Sequence, residues 1–234
     1  MDRTPNISTV IPTFNEEFYI GKLLTQIKSQ KYPQNKLETI VVDNNSKDES
    51  VKAVKSFIKD NPEMRIKLFT ENKQGVNFAR NRGGYTAKGE LLIFLDADNR
   101  MKNDFLQNVA KIYNSSLSAG SFYTIPESNS WSDNALFNIL HFLKVLGFKL
   151  HGKCFLTKDL FYKMGGWDEK VKIATTVEFN DRLKKECQKN GLKYKITNIK
   201  IKASMRRFKK QGYLKILWVW FCAYFGLRNR WYEQ

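Results

Sequence analysis

The sequence predicts an α/β protein with a mostly parallel sheet flanked by helices. Short apolar runs alternate with amphipathic helical patterns over the first hundred residues, as in chains that form a parallel sheet through helical crossovers. Polar, acid-containing clusters follow three of the apolar runs, and in such sheets ligands bind beyond the carboxyl ends of the strands. With 234 residues, of which 42% are hydrophobic, the chain is long enough for a substantial core.

The first hundred residues contain four runs of apolar and β-branched residues, which predict strands. The segments between them carry apolar residues three or four positions apart, which predicts helices with one buried face. The predicted strands are 7–12, 37–43, 65–69 and 91–95, and the predicted helices are 17–30, 50–59 and 76–87.

The pattern is less regular after residue 100. The predicted helices are 105–117 and 176–189, the predicted strands are 120–125 and 192–199, and a polar loop is predicted over 127–132. Residues 135–150 form an apolar segment with few charges. The chain continues into a tail that is basic at 205–210 and then apolar and aromatic at 216–227.

Charge and cysteine usage limit the class of protein. The net charge of +17 favours phosphorylated substrates or anionic lipid as partners, although a general richness in solvated lysines is the alternative. We expect no nucleic acid, because no aromatic base-stacking platform is visible. Three separate cysteines without a C-x-x-C motif argue against zinc and disulfides and suit the cytosol. Residues 1–6 lead directly into a strand, so we expect no signal peptide.

The segment that ends in Asp96-Ala97-Asp98 is the clearest candidate for chemistry. Five apolar residues, 91–95, lead directly into two carboxylates spaced i, i+2. Side chains alternate along an extended chain, so both carboxylates would point the same way. Mg²⁺ and Mn²⁺ are commonly held by one or two carboxylates together with substrate phosphate oxygens. An Asp-X-Asp triplet is weak evidence alone, and a solvated acidic loop is the alternative.

Five motifs in order resemble the family 2 glycosyltransferases. They are Ile-Pro-Thr-Phe-Asn-Glu at 11–16, Val-Val-Asp-Asn-Asn-Ser at 41–46, Gly-Val-Asn-Phe-Ala-Arg-Asn-Arg-Gly at 75–83, the segment 89–98 and Gly-Gly-Trp-Asp-Glu at 165–169. The resemblance covers about residues 5–200. It implies a GT-A, Rossmann-like domain over 1–204 that transfers a sugar with inversion from a nucleotide-diphosphate sugar. It also implies a divalent metal, Mg²⁺ or Mn²⁺.

The resemblance further implies roles for individual residues. The nucleotide-sugar would contact Pro12, Thr13, Phe14, Glu16, Asp43, Asn44, Arg80, Asp96 and Ala97. The metal would bind Asp96 and Asp98, of which Asp98 is the firmer ligand. Pro12 and Phe14 could instead pack on the core, and Arg80 could contact the diphosphate, brace the pocket or form a helix ion pair. Relatives often have a second Asp where this chain has Asn44, so the nucleobase stays open.

The catalytic base departs from the family pattern. Relatives commonly carry Glu-Asp before an Arg-Leu pair, and aligning that pair with residues 182–183 places Thr175-Thr176 at the Glu-Asp. Threonine cannot act as a carboxylate base. Glu178 is therefore the first candidate and Asp168 the second. Two alternatives remain, namely that Glu178 is an acid favoured by the helix dipole, or that the chain is a degenerate transferase that binds nucleotide or membrane.

The tail predicts membrane contact. The twelve uncharged residues 216–227 are too few for a helix that spans a bilayer, but aromatics flanked by cations suit a helix in the headgroup region. We therefore expect a membrane-associating tail over 205–234, with 135–150 as a second interfacial element. The resemblance then makes a lipid-linked or cell-envelope glycan the expected acceptor, at the cytoplasmic face of the membrane. Packing on the sheet or in a homodimer is the alternative.

Overall fold

The computed structural model describes residues 4–113, 117–146 and 153–224, which form one seven-stranded sheet with helices on both faces. The strands are β1 (Ile7–Thr13), β2 (Leu37–Asp43), β3 (Ile66–Thr70), β4 (Leu91–Phe94), β5 (Leu117–Pro126), β6 (Cys154–Thr157) and β7 (Lys193–Ala203). The helices are α1 (Ile20–Lys28), α2 (Ser50–Asp60), α3 (Val76–Thr86), α4 (Phe105–Ile112), α5 (Trp131–Val145), α6 (Lys158–Lys163), α7 (Thr175–Lys189), α8 (Arg206–Gln211) and α9 (Tyr213–Tyr224).

The strand order is β3-β2-β1-β4-β6-β5-β7. β1 pairs in parallel with β2 and β4, β2 with β3, and β5 with β7. β6 runs antiparallel to both of its neighbours. The predicted mostly parallel sheet is therefore confirmed, and the carboxyl ends of β1, β2, β4, β5 and β7 meet at one edge.

The two faces of the sheet bury separate sets of apolar side chains, because neighbouring residues of a strand point to opposite sides. In β1, Ile11 packs on the side of α1, α2 and α4, whereas Val10 packs on the side of α3, α6 and α7. A Cβ on Gly83 of α3 would lie 2.4 Å from Val10 Cγ1. Glycine therefore lets α3 approach β1 closely, and this approach brings Arg80 of α3 to the sheet edge.

The structure corrects the bounds of two elements that the sequence predicts, the helix over 105–117 and the loop over 127–132. The predicted helix over 105–117 ends at Ile112, since Tyr113 is already extended with ψ 127°, and Leu117 begins β5. The predicted loop over 127–132 is shorter, because Trp131 begins α5. α5 carries the apolar segment predicted over 135–150 as far as Val145, and residues 147–150 lie outside the described part of the chain.

The tail packs on α5 through a small apolar cluster. Phe137 of α5 is buried with Met205, Phe208 and Ile216. Leu214 and Trp218 of α9 are exposed, so the tail has one packed side and one open side. Within the ranges that the structure covers, no helix has the length and apolarity needed to cross a membrane. Of the segment predicted over 216–227, the last three residues lie outside those ranges.

Candidate functional site

A cleft of about 570 Å³ opens at the carboxyl edge of the sheet, within the usual size range of ligand pockets. Most of the residues predicted for the site line it: Pro12, Thr13, Phe14, Glu16, Asn44, Arg80, Asp96, Ala97 and Asp98. The other three predicted residues, Asp43, Asp168 and Glu178, do not line it.

Two loops that follow β1 and β2 shape one end of the cleft. Asn15 adopts the left-handed region, φ 54°, which asparagine tolerates better than most residues. Its Oδ1 accepts a hydrogen bond from Lys47 N at 2.8 Å, and its own N–H donates to Ser46 Oγ at 3.0 Å. These bonds fix the turn beside Phe14, whose ring is 46% exposed.

Asn44 and Asp43 support this end of the cleft in different ways. Asn44 Nδ2 donates to the carbonyl oxygens of Glu71 and Lys73 at 2.9 and 2.7 Å, and its Oδ1 accepts from Gly75 N at 2.7 Å. The amide thus holds the loop that leads into α3. Asp43 is buried, and its carboxylate faces Ser46 N at 3.4 Å in the following turn. Asp43 does not line the cleft itself.

Asp96 is paired with two cations. Its Oδ1 lies 3.2 Å from Arg80 Nη2, and its Oδ2 forms an ion pair with Lys153. Burial opposes the charged form, but the attraction of Lys153 and Arg80 outweighs it and holds the pKa of Asp96 well below its ordinary range. Asp96 is therefore a fixed anion whose oxygens both have protein partners.

Arg80 connects α3 to the segment after β4 and to the first residue of α7. Its side chain is buried, its Cζ lies 4.3 Å from the Trp167 ring centroid, and Nη1 donates to Thr175 Oγ1 at 2.9 Å. Ala174, in the left-handed region at φ 52°, immediately precedes α7, of which this threonine is the first residue. Among the alternatives that the sequence left open for Arg80, these contacts agree with a residue that supports the pocket. Its ion-pair partner, Asp96, lies outside α3, so the pair is not one within a helix.

Asp98 and Glu16 share Arg206 of α8. Arg206 Nη1 donates to Glu16 Oε2 at 2.9 Å, and its Nε lies 3.6 Å from Asp98 Oδ2. Burial, together with the nearby charge of Asp96, raises the pKa of Asp98 despite the opposing cations. Burial also raises the pKa of Glu16, against the hydrogen bond from Arg206. Both carboxylates therefore favour an additional positive charge.

The carboxylates of the cleft could supply part of the coordination shell of a divalent metal. Two carboxylates supply the hard oxygen ligands that Mg²⁺ and Mn²⁺ prefer, and such ions complete their shell with water and phosphate. Asp98 has the oxygen that is least engaged. In the described ranges no group of three or more His, Cys, Asp or Glu side chains could hold a metal, so a metal here would depend on ligand oxygens from a substrate.

A match to a family model shows which protein family the chain belongs to. The model described as "Glycosyl transferase family 2" matches residues 8–165, more than half of the chain. The chain belongs to glycosyl transferase family 2.

Curated relatives match slightly less than half of this chain. A dolichyl N-acetyl-alpha-D-glucosaminyl phosphate 3-beta-D-2,3-diacetamido-2,3-dideoxy-beta-D-glucuronosyltransferase from Methanococcus voltae is 36% identical over 107 residues, 46% of this chain. A GalNAc(5)-diNAcBac-PP-undecaprenol beta-1,3-glucosyltransferase from Campylobacter jejuni is 33% identical over 105 residues, 45% of this chain. Each aligned segment spans 33% of the relative's own length.

Solved structures share the fold. The mannosyltransferase PcManGT from Pyrobaculum calidifontis, solved with GDP-Man and Mn²⁺, superposes with a TM-score of 0.72 over 86% of this chain and 57% of its own, at 24% identity. This likeness shows the GT-A fold, as the sequence resemblance predicted.

In this family 2 chain the two predicted base residues lie away from the cleft. Glu178 Oε1 accepts from Arg182 Nε at 2.7 Å, and Arg182 also donates to the carbonyl oxygens of Met164 and Gly166, both at 2.8 Å. Asp168 is exposed, and its Oδ1 accepts from Lys170 N at 2.9 Å. The first turn of α7 presents the Thr175 and Thr176 side of the helix to the cleft instead.

Sequence reasoning did not assign to the cleft five cationic residues that line it: Lys144, Lys153, Lys172, Arg206 and Arg207. Lys153 precedes β6, and the antiparallel register that puts Phe155 opposite Ile93 brings it level with the end of β4. Arg206 follows β7, which pairs in parallel with β5 and so ends at the same edge. Lys144 is the buried cation of α5. The basic run 205–210 is the sequence pattern that contains Arg206, and on its own it predicts only a membrane contact.

Proposed function

We propose that the chain transfers a sugar from a nucleotide-diphosphate sugar to a hydroxyl or phosphate acceptor, with inversion and a divalent metal. The observation that carries this proposal is the position of Asp98, a partly buried carboxylate that follows β4 and whose pKa is raised by burial and by the nearby charge of Asp96. It lies in a cleft that Arg80, Lys153 and Arg206 also line. A bound cation would pair with the carboxylates of the cleft, and a bound diphosphate would pair with its arginine and lysine side chains.

The nucleoside would occupy the end of the cleft formed by the β1 and β2 loops. The exposed ring of Phe14 and the neighbouring Pro12 offer an apolar wall for the base, with Thr13 and Glu16 beside the ribose. The role of Asp43 in binding the base or ribose stays a prediction. The side-chain amide of Asn44 supports the wall through its hydrogen bonds to backbone groups of residues 71–75.

Asp98, with Asp96 beside it, would hold the metal, which when bound neutralises charge on the leaving diphosphate. Residues of the chain itself would position the carboxylates and bind the diphosphate. Arg80 and Lys153 keep Asp96 deprotonated and fixed in orientation. Arg206 is free to exchange its carboxylate partners for diphosphate oxygens, which its planar guanidinium can bind in a bidentate manner.

Glu178 stays the first proposal for the base that takes the proton from the acceptor hydroxyl, and Asp168 the second. Glu178 lies two positions after Thr176, which lines the cleft, but its carboxylate now pairs with Arg182. Glu178→Gln should lower turnover about 10²- to 10⁴-fold, the usual contribution of a general base, while nucleotide binding stays unchanged. Glu186→Gln on the same helix is the matched control. Full turnover in Glu178→Gln would remove this residue from the mechanism and move the test to Asp168→Asn.

The acceptor is proposed to be lipid-linked or a cell-envelope glycan. The two curated relatives carry a dolichyl phosphate sugar and a PP-undecaprenol glycan in their names. Exposed apolar residues lie on one face of α5, at Trp131, Ile139, Phe142 and Val145, and directly after it at Leu146. Leu214 and Trp218 are exposed on α9. Together with the basic α8, they support peripheral binding to the inner face of an anionic membrane. A homodimer seam is the alternative occupant.

A donor screen tests the proposal. UDP-, GDP-, CDP- and dTDP-sugars are offered with Mn²⁺, and calorimetric binding, hydrolysis and the anomeric configuration of any product by NMR are measured. We expect one donor class to bind and turn over with inversion, and Asp98→Asn to abolish both effects while Asp60→Asn, an exposed acid on α2, does not. Binding without hydrolysis or transfer across the panel would favour the alternative, a degenerate transferase that acts as a nucleotide- or membrane-binding module.

A further inference from the structure

The end of the cleft beside α5 contains a buried lysine. Lys144 is 7% exposed and lines the cleft, and its Nζ donates to the carbonyl oxygen of Phe122 of β5 at 3.4 Å, a long contact. In residues 4–113, 117–146 and 153–224 no ion pair involves this ammonium. An ammonium group has three N–H donors, so most of its hydrogen-bonding capacity is open.

A buried ammonium without an anion is unfavourable, and burial accordingly lowers the pKa of Lys144 to about 8. The carboxylates that line the cleft already have other partners. Asp96 is paired with Arg80 and Lys153. Glu16 and Asp98 both face Arg206. In the described residues no carboxylate acts on Lys144, so a bound anion would supply the partner that this ammonium lacks.

The position of Lys144 separates it from the proposed donor site. Asp96 and Asp98 follow β4, whereas Lys144 contacts β5, and β6 lies between these strands in the sheet. Neighbouring strands are about 4.8 Å apart, so β4 and β5 are about 10 Å apart at this level. An anion at Lys144 would therefore lie in the same cleft as the donor but beside its diphosphate.

The surroundings of Lys144 are mostly apolar, with the His141 imidazole and the Cys154 thiol as titratable neighbours. Phe122, Phe137, Leu140 and Phe208 line the same end of the cleft. Phe137 and Phe208 pack together, with ring centroids 5.9 Å apart. An inorganic phosphate would lose its water here without gaining contacts for its remaining oxygens, whereas a phosphate ester with a hydrocarbon substituent gains an ion pair and apolar contact at once.

We propose that Lys144 binds a phosphate group of the acceptor, a phosphate ester with an apolar substituent that lies against Phe137, Leu140 and Phe208. This inference rests on the proposed function, since it names the acceptor class of the same cleft. It gives α5 two functions: the face with Lys144 binds the acceptor phosphate, and the opposite face carries the exposed apolar residues.

Binding of octyl phosphate to the full chain, measured by calorimetry below its aggregation concentration, tests the inference. We expect Lys144→Met to weaken binding at least tenfold, Lys144→Arg to retain most of it, and Lys55→Met, an exposed lysine of α2, to leave it unchanged. Inorganic phosphate is the second ligand, and binding as tight as that of octyl phosphate would overturn the role of the apolar residues. Thermal unfolding of each variant checks the fold, and Lys144→Gln replaces Lys144→Met if the latter does not fold.

Competition separates this inference from the proposed function. UDP and GDP with Mn²⁺ are titrated with and without octyl phosphate. We expect both ligands to bind together and Lys144→Met to keep nucleotide affinity within twofold. If Lys144→Met weakens nucleotide binding as much as octyl phosphate binding, Lys144 belongs to the donor diphosphate site and the inference is wrong. If no nucleotide binds but octyl phosphate does, the donor proposal fails and the phosphate site stands.

Discussion

Arg206 donates to the carboxylate of Glu16 across 190 positions of sequence, with Nη1 to Oε2 at 2.9 Å. The same guanidinium lies 3.6 Å from Asp98 through Nε and 4.8 Å from the Tyr19 ring centroid. One side chain of α8 therefore joins the loop after β1, the loop after β4 and the first turn before α1. These contacts hold α8 against the carboxyl edge of the sheet, where the cleft opens.

Removal of this contact should loosen α8 without unfolding the sheet. Arg206 is about two-fifths exposed, so solvent screens the pair, and we expect a contribution of about 0.5–1 kcal/mol. In Arg206→Met, amide exchange over residues 206–211 should be about two- to fivefold faster than in the wild type. Lys210→Met, an exposed residue of the same helix, is the control. Equal protection in both variants would mean that the apolar cluster alone holds the tail.

Asp98→Asn should separate stability from ligand binding. The pKa of Asp98 is raised in the folded chain, so its charge opposes folding at every pH above that raised pKa, and the cost is lost as the pH falls through it. The amide removes this cost, and we expect an unchanged or higher Tm at pH 7. We expect Mn²⁺-dependent nucleotide binding to disappear. A large fall in Tm would show that Asp98 supports the fold instead.

Lys144→Met should stabilise the chain at neutral pH. The pKa of Lys144 is lowered from 10.5 to about 8 by burial, which corresponds to a cost of at most about 3 kcal/mol. The cost is fully present below pH 8 and falls as the pH rises from 8 to 10.5, because the folded chain loses the proton first. Urea unfolding at pH 7 and pH 10 should show a smaller difference between the variant and the wild type at pH 10.

Neighbouring groups do not disturb this pH test. Burial raises the pKa of the Cys154 thiol to about 12, and burial with the charge of Lys144 lowers the pKa of His141. The thiol therefore stays uncharged between pH 7 and pH 10, and the imidazole loses its proton at a lower pH than a free imidazole does. A difference that stays constant between pH 7 and pH 10 would contradict the assignment of the effect to the Lys144 charge.

The exposed face of α5 should contribute to membrane binding. Ile139 and Phe142 lie three positions apart and are both exposed, so they share one side of the helix. With vesicles of phosphatidylglycerol and phosphatidylcholine, Ile139→Ser with Phe142→Ser should lower the bound fraction at least fivefold in flotation. Phe18→Ser, an exposed apolar residue before α1, is the control. Undiminished flotation of the double variant, or equal loss in the control, would remove α5 from the membrane contact.

The sequence predicted the parts of the site that follow parallel strands. Pro12, Asn44 and Asp98 could be placed at one edge because each follows a buried apolar run, and topology alone brings such ends together. Lys153 and Arg206 could not be placed in this way. Lys153 enters an antiparallel strand that no periodicity identified, and Arg206 reaches Glu16 only through the β5–β7 pairing. Long-range strand order, rather than local pattern, determined both positions.

The pairing of Asn44 with the loop at residues 71–75 constrains how this chain could change over evolution. Two carbonyl oxygens, of Glu71 and Lys73, receive the amide N–H groups. An aspartate there would set a carboxylate oxygen against both carbonyls, and repulsion would push the loop away. A substitution to the acid that relatives often carry therefore requires a compensating change in the loop. Without that change, Asn44→Asp should displace residues 71–75 and with them the start of α3, the helix that carries Arg80.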